Sequence, residues 1–261
     1  CLSPDGTLDR DHPDITRDLS DPAAPVSVIG WIVRGLAARR EAGLAPFVVM
    51  PCDNLPSNGR KLHRALADFA RSTDGALADW IAGEVRVPGT MVDSITPASD
   101  ETLHADVRAE IGLEDRAAVQ REAFAQWIIE DVGPVGPDLA GAGAIVTNDV
   151  AGYEKAKLRI LNGAHSTLAY AGLLRGRATV ADAMADAPLA RFVEAMIRDE
   201  IIPTLPPVAG LDLPVYAGEV LGRFRNRGIV HRLDQIAQDG SQKLPYRLGD
   251  TLRANLERGR T

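Results

Sequence analysis

Pro46-Phe47-Val48-Val49-Met50-Pro51 places four consecutive apolar residues between two prolines. A strand buried on both faces of a parallel sheet reads this way, as an unbroken apolar run rather than an alternation. Upstream, Val28, Ile29, Ile32, Val33 and Leu36 recur at spacings of three and four, which predicts a helix over 26–42 ending at Gly43. Downstream, a polar loop from Cys52 to Gly59 leads into a helix predicted from about Arg60 to Phe69. Further short strands are predicted at Val85–Val87, Phe124–Ile129 and Ala144–Val146. Strands alternating with helices indicate an α/β layer architecture.

From Asp149 onward the pattern changes. Helical periods dominate over 149–175, 179–187, 188–202, 213–225, 229–238 and 241–257, separated by breakers such as Pro203, Pro206-Pro207 and Gly228. The expected fold is therefore α/β followed by all-α, with one domain over 1–148 and a mainly helical one over 149–261.

The 261 residues can bury a substantial core, and 45% hydrophobic with 25% charged residues is the composition of a soluble globular protein. No apolar run reaches the length needed to span a bilayer. A net charge of -7 with dispersed basic residues argues against a nucleic-acid surface, since Arg223, Arg225 and Arg227 make only a short stripe. Cys1 and Cys52 form neither a disulfide framework nor a metal motif, so a reducing cytoplasm is the simplest compartment. The chain opens on Cys1-Leu2-Ser3-Pro4-Asp5-Gly6 without Met and carries no Gly-x-Gly-x-x-Gly turn after a strand. The expectation is a longer natural protein, with Cys1 falling part-way through a domain.

Four features could carry chemistry. On a continuous helix at about 100° per residue, with Lys157 at zero, His165 falls near 80° and Asn162 near 140°. Leu161 and Leu168 share that arc, so three polar groups lie on a side that must be buried. Burial costs several kcal/mol unless the groups are paired or face a polar cavity, and it lowers the basicity of a lysine toward that of a neutral-pH base. Rim positions for Lys157 and Asn162, with His165 bonded to a core carbonyl, fit the spacing alone at least as well. Asn54, after the apolar run in Cys52-Asp53-Asn54, can donate to an oxyanion at the carboxyl end of a strand, or the loop is an Asx turn before the next helix. Asp93, just beyond the Val85–Val87 strand, can orient a substrate hydroxyl, relay a proton or cap a turn. The junction Gln235 to Pro245, with Lys243, can approach a hydroxyl-rich or anionic ligand, or is a solvated helix break.

Taken together, Pro51-Cys52-Asp53-Asn54-Leu55-Pro56-Ser57-Asn58-Gly59, Met91-Val92-Asp93, the run Tyr153 to Ser166 with Lys157, Asn162 and His165, and Asp239-Gly240-Ser241-Gln242-Lys243-Leu244-Pro245 resemble the polyol-specific long-chain dehydrogenases. The resemblance runs through essentially the whole chain in order. It implies the later part of a Rossmann-type NAD-binding domain followed by a helical substrate domain. It implies Lys157 as general acid/base, Asn54 and Asn162 as the amides of an oxyanion hole, and His165, Asp93 and Lys243 as substrate ligands. The cofactor implied is NAD, held mostly by residues upstream of Cys1, and no metal is implied. The partner implied is a small polyol or sugar acid, met by a protein that the resemblance favours as a monomer. By the same resemblance, the last helices of the substrate domain lie beyond Thr261. Gln235 stands where some mannitol dehydrogenases carry an Arg, and His231 to Ala237 reads more like the fructuronate reductase branch.

The expected activity is thus the NAD-dependent interconversion of mannitol and fructose, or of mannonate and fructuronate. A sugar acid would need an Arg or Lys for its carboxylate, and Arg159, Arg225, Arg232 and Lys243 are the candidates. The competing reading is a non-catalytic substrate-binding or scaffold remnant lacking the dinucleotide fingerprint. A zinc alcohol dehydrogenase is a third, though His12, His63, His104, His165 and His231 show no ligand spacing.

Overall fold

The computed structural model describes residues 1–3, 5–134 and 136–260. Two compact units divide the chain, Cys1–Val92 with Gln126–Val150, and Asp93–Ala125 with Ala151–Thr261. The stretch 93–125 thus packs with the helical half.

The first unit opens with α1 (Pro13–Ser20) and α2 (Val28–Glu41). The second of these starts where the spacing places it, because Ser27 Oγ accepts from Gly30 N at 2.9 Å. The fully buried Asp18 carboxylate accepts from Val26 N and Ser27 N at 2.8 and 2.9 Å, which fixes the entry to that helix. Next come α3 (Asn58–Arg71) and α4 (Gly75–Glu84), the latter capped by Asp74 accepting from Leu77 N at 3.0 Å. Ile15, Ile29, Leu36, Leu66, Phe69 and Ile81 close a core between these helices, each 3% exposed or less.

A three-stranded sheet lies in the order β1 (Thr90–Asp93), β2 (Gln126–Glu130), β3 (Ile145–Thr147). The last two pair in parallel, with Ile128 opposite Ile145 and Glu130 opposite Thr147. Both had been expected within a residue or two. Two other expected strands are absent. Phe47–Met50 makes one backbone bond, Val49 N to Arg86 O at 3.1 Å, and only Val49 is buried. A single bond is not a ladder, and the prolines at either end cannot donate one. Val85–Val87 likewise forms no strand, since Val85 closes α4; the strand begins at Thr90 and Asp93 is its last residue rather than a loop residue beyond it.

The second unit holds α5 (Glu101–Ile111) and α6 (Val150–Ala156), which runs into a π turn (Lys157–Asn162) and then α7 (Gly163–Leu174). Then follow α8 (Val180–Ala185) and α9 (Ala187–Ala195), a second π turn (Met196–Ile201), α10 (Leu213–Phe224), α11 (Leu233–Ile236), α12 (Gly240–Leu244), a third π turn (Pro245–Gly249) and α13 (Asp250–Glu257). Ile160, Leu168, Val193, Ile201, Val220 and Leu233 are fully buried and centre its core. No helix among the described residues is long and apolar enough to cross a membrane.

Candidate functional site

The π turn changes the geometry from which the polar stripe was inferred. Its hydrogen bonds run from i to i+5, so residues five apart lie about one turn from each other. Lys157 and Asn162 are five apart and bound that turn. The 140° offset expected for them on an unbroken helix therefore does not apply. Lys157 and Asn162 are half-buried and His165 is buried, 7% exposed.

His165 stacks on Phe224, ring centres 4.7 Å apart, and meets the edge of His231 at 4.5 Å. Its Nε2 is buried with no hydrogen-bond partner, and so is Nδ1 of His231. Burial holds His165 well below the ordinary histidine range, and the charges of His231, Arg247 and Arg223 push the same way. Burial lowers His231 too. At neutral pH both rings are uncharged, and His165 presents an unspent polar nitrogen of the kind that calls for an explanation in a folded core.

Asp93 sits in a charge network built from three segments. Arg223 Nη2 and Nη1 donate to its two oxygens at 2.8 and 2.9 Å, and Tyr216 Oη donates to Oδ2 at 3.2 Å. The same guanidinium reaches Glu122 through Nη2 at 2.7 Å and Nε at 3.0 and 3.1 Å, and lies 4.1 Å above the Phe124 ring. Glu122 also accepts from Ile95 N at 2.6 Å. Side-chain exposures are 7% for Arg223, 3% for Asp93 and 4% for Glu122, so all three charges are out of water.

Two carboxylates against one guanidinium leave one negative charge in excess. Lys157 lies in that field. Burial lowers its pKa, Asp93 and Glu154 pull it up, and Arg223 and Arg247 push it down again. The net direction is downward, so the neutral amine of Lys157 is reached more readily than that of an exposed lysine. The crevice beside Glu122, Arg223 and His231 has a volume of only about 10 Å³, too small for a sugar.

The structure thus groups Asp93, Lys157, Asn162 and His165 in the second unit. Lys243 is there too, but its Nζ serves its own turn, donating to Gln238 O at 2.8 Å and pairing with Asp239 at 3.4 Å. Asn54 belongs to the first unit, in an exposed loop where Asp53 Oδ1 accepts from Leu55 N in an Asx turn. Asn58, 1% exposed, steadies that loop by donating to Asp53 O at 3.2 Å and accepting from Thr90 N at 2.9 Å. Sequence reasoning missed Glu122, Tyr216, Arg223, His231 and Arg247. One signal was available for Arg223: Tyr216, Val220 and Phe224 mark the buried face of α10, and an arginine on the edge of such a face needs acids.

The model of the mannitol dehydrogenase Rossmann domain matches residues 6–140, and that of the mannitol dehydrogenase C-terminal domain matches 149–261. The chain belongs to the mannitol dehydrogenase family. D-mannonate oxidoreductase of Escherichia coli is 44% identical over 255 residues, 97% of this chain and 52% of that protein. The substrate-free structure of D-sorbitol dehydrogenase superposes with a TM-score of 0.91 at 33% identity, covering all of this chain and 54% of that one. The Pseudomonas fluorescens mannitol 2-dehydrogenase complex with NAD and D-mannitol gives 0.82 at 37%, covering 97% and 51%. The chain spans about half the length of the mannitol dehydrogenase relatives it matches. Its fold is a Rossmann-type part followed by a helical part, the expected order.

Within the first unit of this family member, a cavity of about 260 Å³ opens past the end of β2, lined by Ile129, Glu130, Gly133, Pro134, Asp138 and Val146 among others. Strand ends of this kind line ligand crevices in parallel sheets. Its charged lining is acidic, from Glu130 and Asp138, and the chain carries no Gly-x-Gly-x-x-Gly turn of the kind that cradles a pyrophosphate. Among the described residues no group of three His, Cys, Asp or Glu is arranged to hold a metal ion.

Proposed function

We propose that the whole protein is an NAD-dependent oxidoreductase that interconverts a polyol or aldonate with its keto sugar, and that this chain supplies its acid/base and substrate-binding residues. The observation that carries the reading is Lys157: half-buried, balanced between Asp93 and Arg223, bounding one turn with Asn162, on the helix that presents the open Nε2 of His165.

In the oxidative direction the Lys157 amine accepts the carbinol hydroxyl proton, and in the reductive direction the ammonium returns it to the carbonyl oxygen. NAD, when bound, supplies the acceptor for the carbinol hydride. The amide of Asn162 donates to the reacting oxygen as it gains charge, and Asn54, in the first unit, is the second amide that the resemblance implies. His165 Nε2 meets a further substrate hydroxyl. Asp93, whose oxygens are taken by Arg223 and Tyr216, acts through the charge of Lys157. Lys243 approaches the distal end of the sugar once its Asp239 pair opens. The polarisation comes from a lysine and amides, without a metal.

Lys157→Ala in the intact protein tests this. It is expected to lower kcat by about 10²- to 10⁴-fold, the ordinary contribution of a positioned acid/base, with partial rescue by added methylamine. Near-normal turnover would overturn the assignment. Absence of NADH-dependent reduction in the wild type, together with no protection by NADH in a melt, would favour a non-catalytic scaffold.

A further inference from the structure

Arg247 is the candidate the mechanism leaves unused. It sits in the third π turn, whose backbone closes directly onto the helix that carries Lys157: a Cβ at Gly163 would come 3.0 Å from Arg247 O. Gly163 follows Asn162 and precedes His165 by two residues, so its lack of a side chain lets this turn seat against the candidate site. Arg247 Nη1 donates to Ser166 Oγ at 3.1 Å, and Ser166 is 2% exposed. The guanidinium is therefore held by Ser166, on a turn whose backbone packs against Gly163. Its charge is felt at both Lys157 and His165.

What Arg247 lacks is an acid. No carboxylate pairs with it among the described residues; its Nε is buried with no partner, and its other neighbours are the hydroxyls of Tyr246 and Tyr170. Of the other arginines near by, Arg223 is saturated by Asp93 and Glu122, Arg225 pairs with Glu194 and Arg232 with Asp234, while Arg159 donates to Thr204 at 3.0 Å and has the charge of Asp250 in its field. Arg247 is half-buried with its Nε out of water and no counter-ion, and an incoming carboxylate would offset that cost with charge-assisted, bidentate bonds.

We propose that Arg247 binds the terminal carboxylate of a sugar-acid substrate, which makes this chain select a hexuronate-type keto sugar over its hydroxymethyl counterpart. The inference rests on the oxidoreductase reading above and names its substrate class. Arg247 is then a specificity residue, and the carboxylate lies at the far end of the chain whose carbonyl faces Lys157.

The test compares the intact wild type with R247Q and R247K, using D-fructuronate and D-fructose as substrates with NADH. The ratio of kcat/KM for fructuronate to that for fructose is expected to fall on the order of 10²- to 10³-fold in R247Q, mostly through KM, and less in R247K. An unchanged ratio, or a wild type that prefers fructose, overturns the assignment. A second readout needs no turnover. D-mannonate should raise the wild-type melting temperature more than D-mannitol does, and R247Q should lose that difference. Equal shifts in both proteins overturn the Arg247 proposal even if neither sugar is reduced, whereas loss of the mannonate shift without any turnover sustains it and overturns the catalytic reading.

Discussion

Arg223→Met removes the guanidinium shared by the buried acids Asp93 and Glu122 while keeping a stem of similar size over Phe124. Five hydrogen bonds to carboxylate oxygens disappear. Each such bond is worth about 1.5–3 kcal/mol in isolation, but bonds from one side chain are not additive. The governing quantity is the exposure of the orphaned acids, 3% for Asp93 and 4% for Glu122. Breaking a buried pair costs about 3–5 kcal/mol because an uncompensated charge remains. Tyr216 still serves Asp93 and Ile95 N still serves Glu122, which keeps the figure from doubling. With a urea m-value of about 2 kcal/mol per molar, the midpoint falls by about 1.5–2.5 M. The assay is a urea titration followed by far-ultraviolet circular dichroism. Tryptophan fluorescence runs alongside as the reporter of the first unit, since Trp31, Trp80 and Trp127 all lie there. The neutral triple variant D93N/E122Q/R223M should recover most of the loss, since it leaves no buried charge. A fall below about 0.5 M in R223M, or a triple variant no more stable than the single, would refute the argument that desolvated charge governs this network.

His165 and His231 are both held below the ordinary histidine pKa of 6.5 in the fold, so the unfolded chain binds protons that the folded one refuses. Stability is then fully present above about pH 6.5 and falls as pH drops below it, by up to about 1.4 kcal/mol per pH unit for each ring; melting temperatures between about pH 7.5 and about pH 5.5 measure the slope, and a flat profile contradicts the assigned neutral rings. In the first unit, Gly59→Ala would place a Cβ 2.5 Å from Gly89 N and Val87 O and 2.6 Å from Pro88 C, all backbone atoms that cannot swing away. The expected loss is about 1–3 kcal/mol or more, read from the tryptophan-detected urea midpoint; an unchanged midpoint would mean that the 87–89 segment yields freely.

What the sequence made legible follows from how local each cause is. The helix expected over 26–42 is observed at Val28–Glu41, because its cap Ser27, its apolar spacing and its terminator Gly43 all lie within one stretch. The Phe47–Met50 run misled because apolar character reports burial, while a strand is a relation to a second segment. The parallel pair β2 and β3 owes its existence to a register between residues some seventeen apart, such as Ile128 and Ile145. The site divides in the same way. Lys157, Asn162 and His165 stand close together on one helix and were read from it. Arg223 acquires its meaning from Asp93, 130 residues away, and from Glu122, 101 away, and no local pattern encodes either pairing.

The three π turns bring these threads together. Such turns are rare, their wider rings bond less favourably than α-helical ones, and they gather at functional positions. Here the first carries Lys157 and Asn162 at its two ends, and both of the others pack against it. The turn at Met196–Ile201 leads into Thr204, which receives Arg159 from the first turn, and the turn at Pro245–Gly249 lays Arg247 against Gly163. If the widened turns were incidental, nothing would place the second and third beside the first. Their convergence instead means that the unfavourable backbone geometry of the second unit is concentrated where a lysine, an amide, a neutral histidine and a guanidinium with no carboxylate partner among the described residues lie on neighbouring turns.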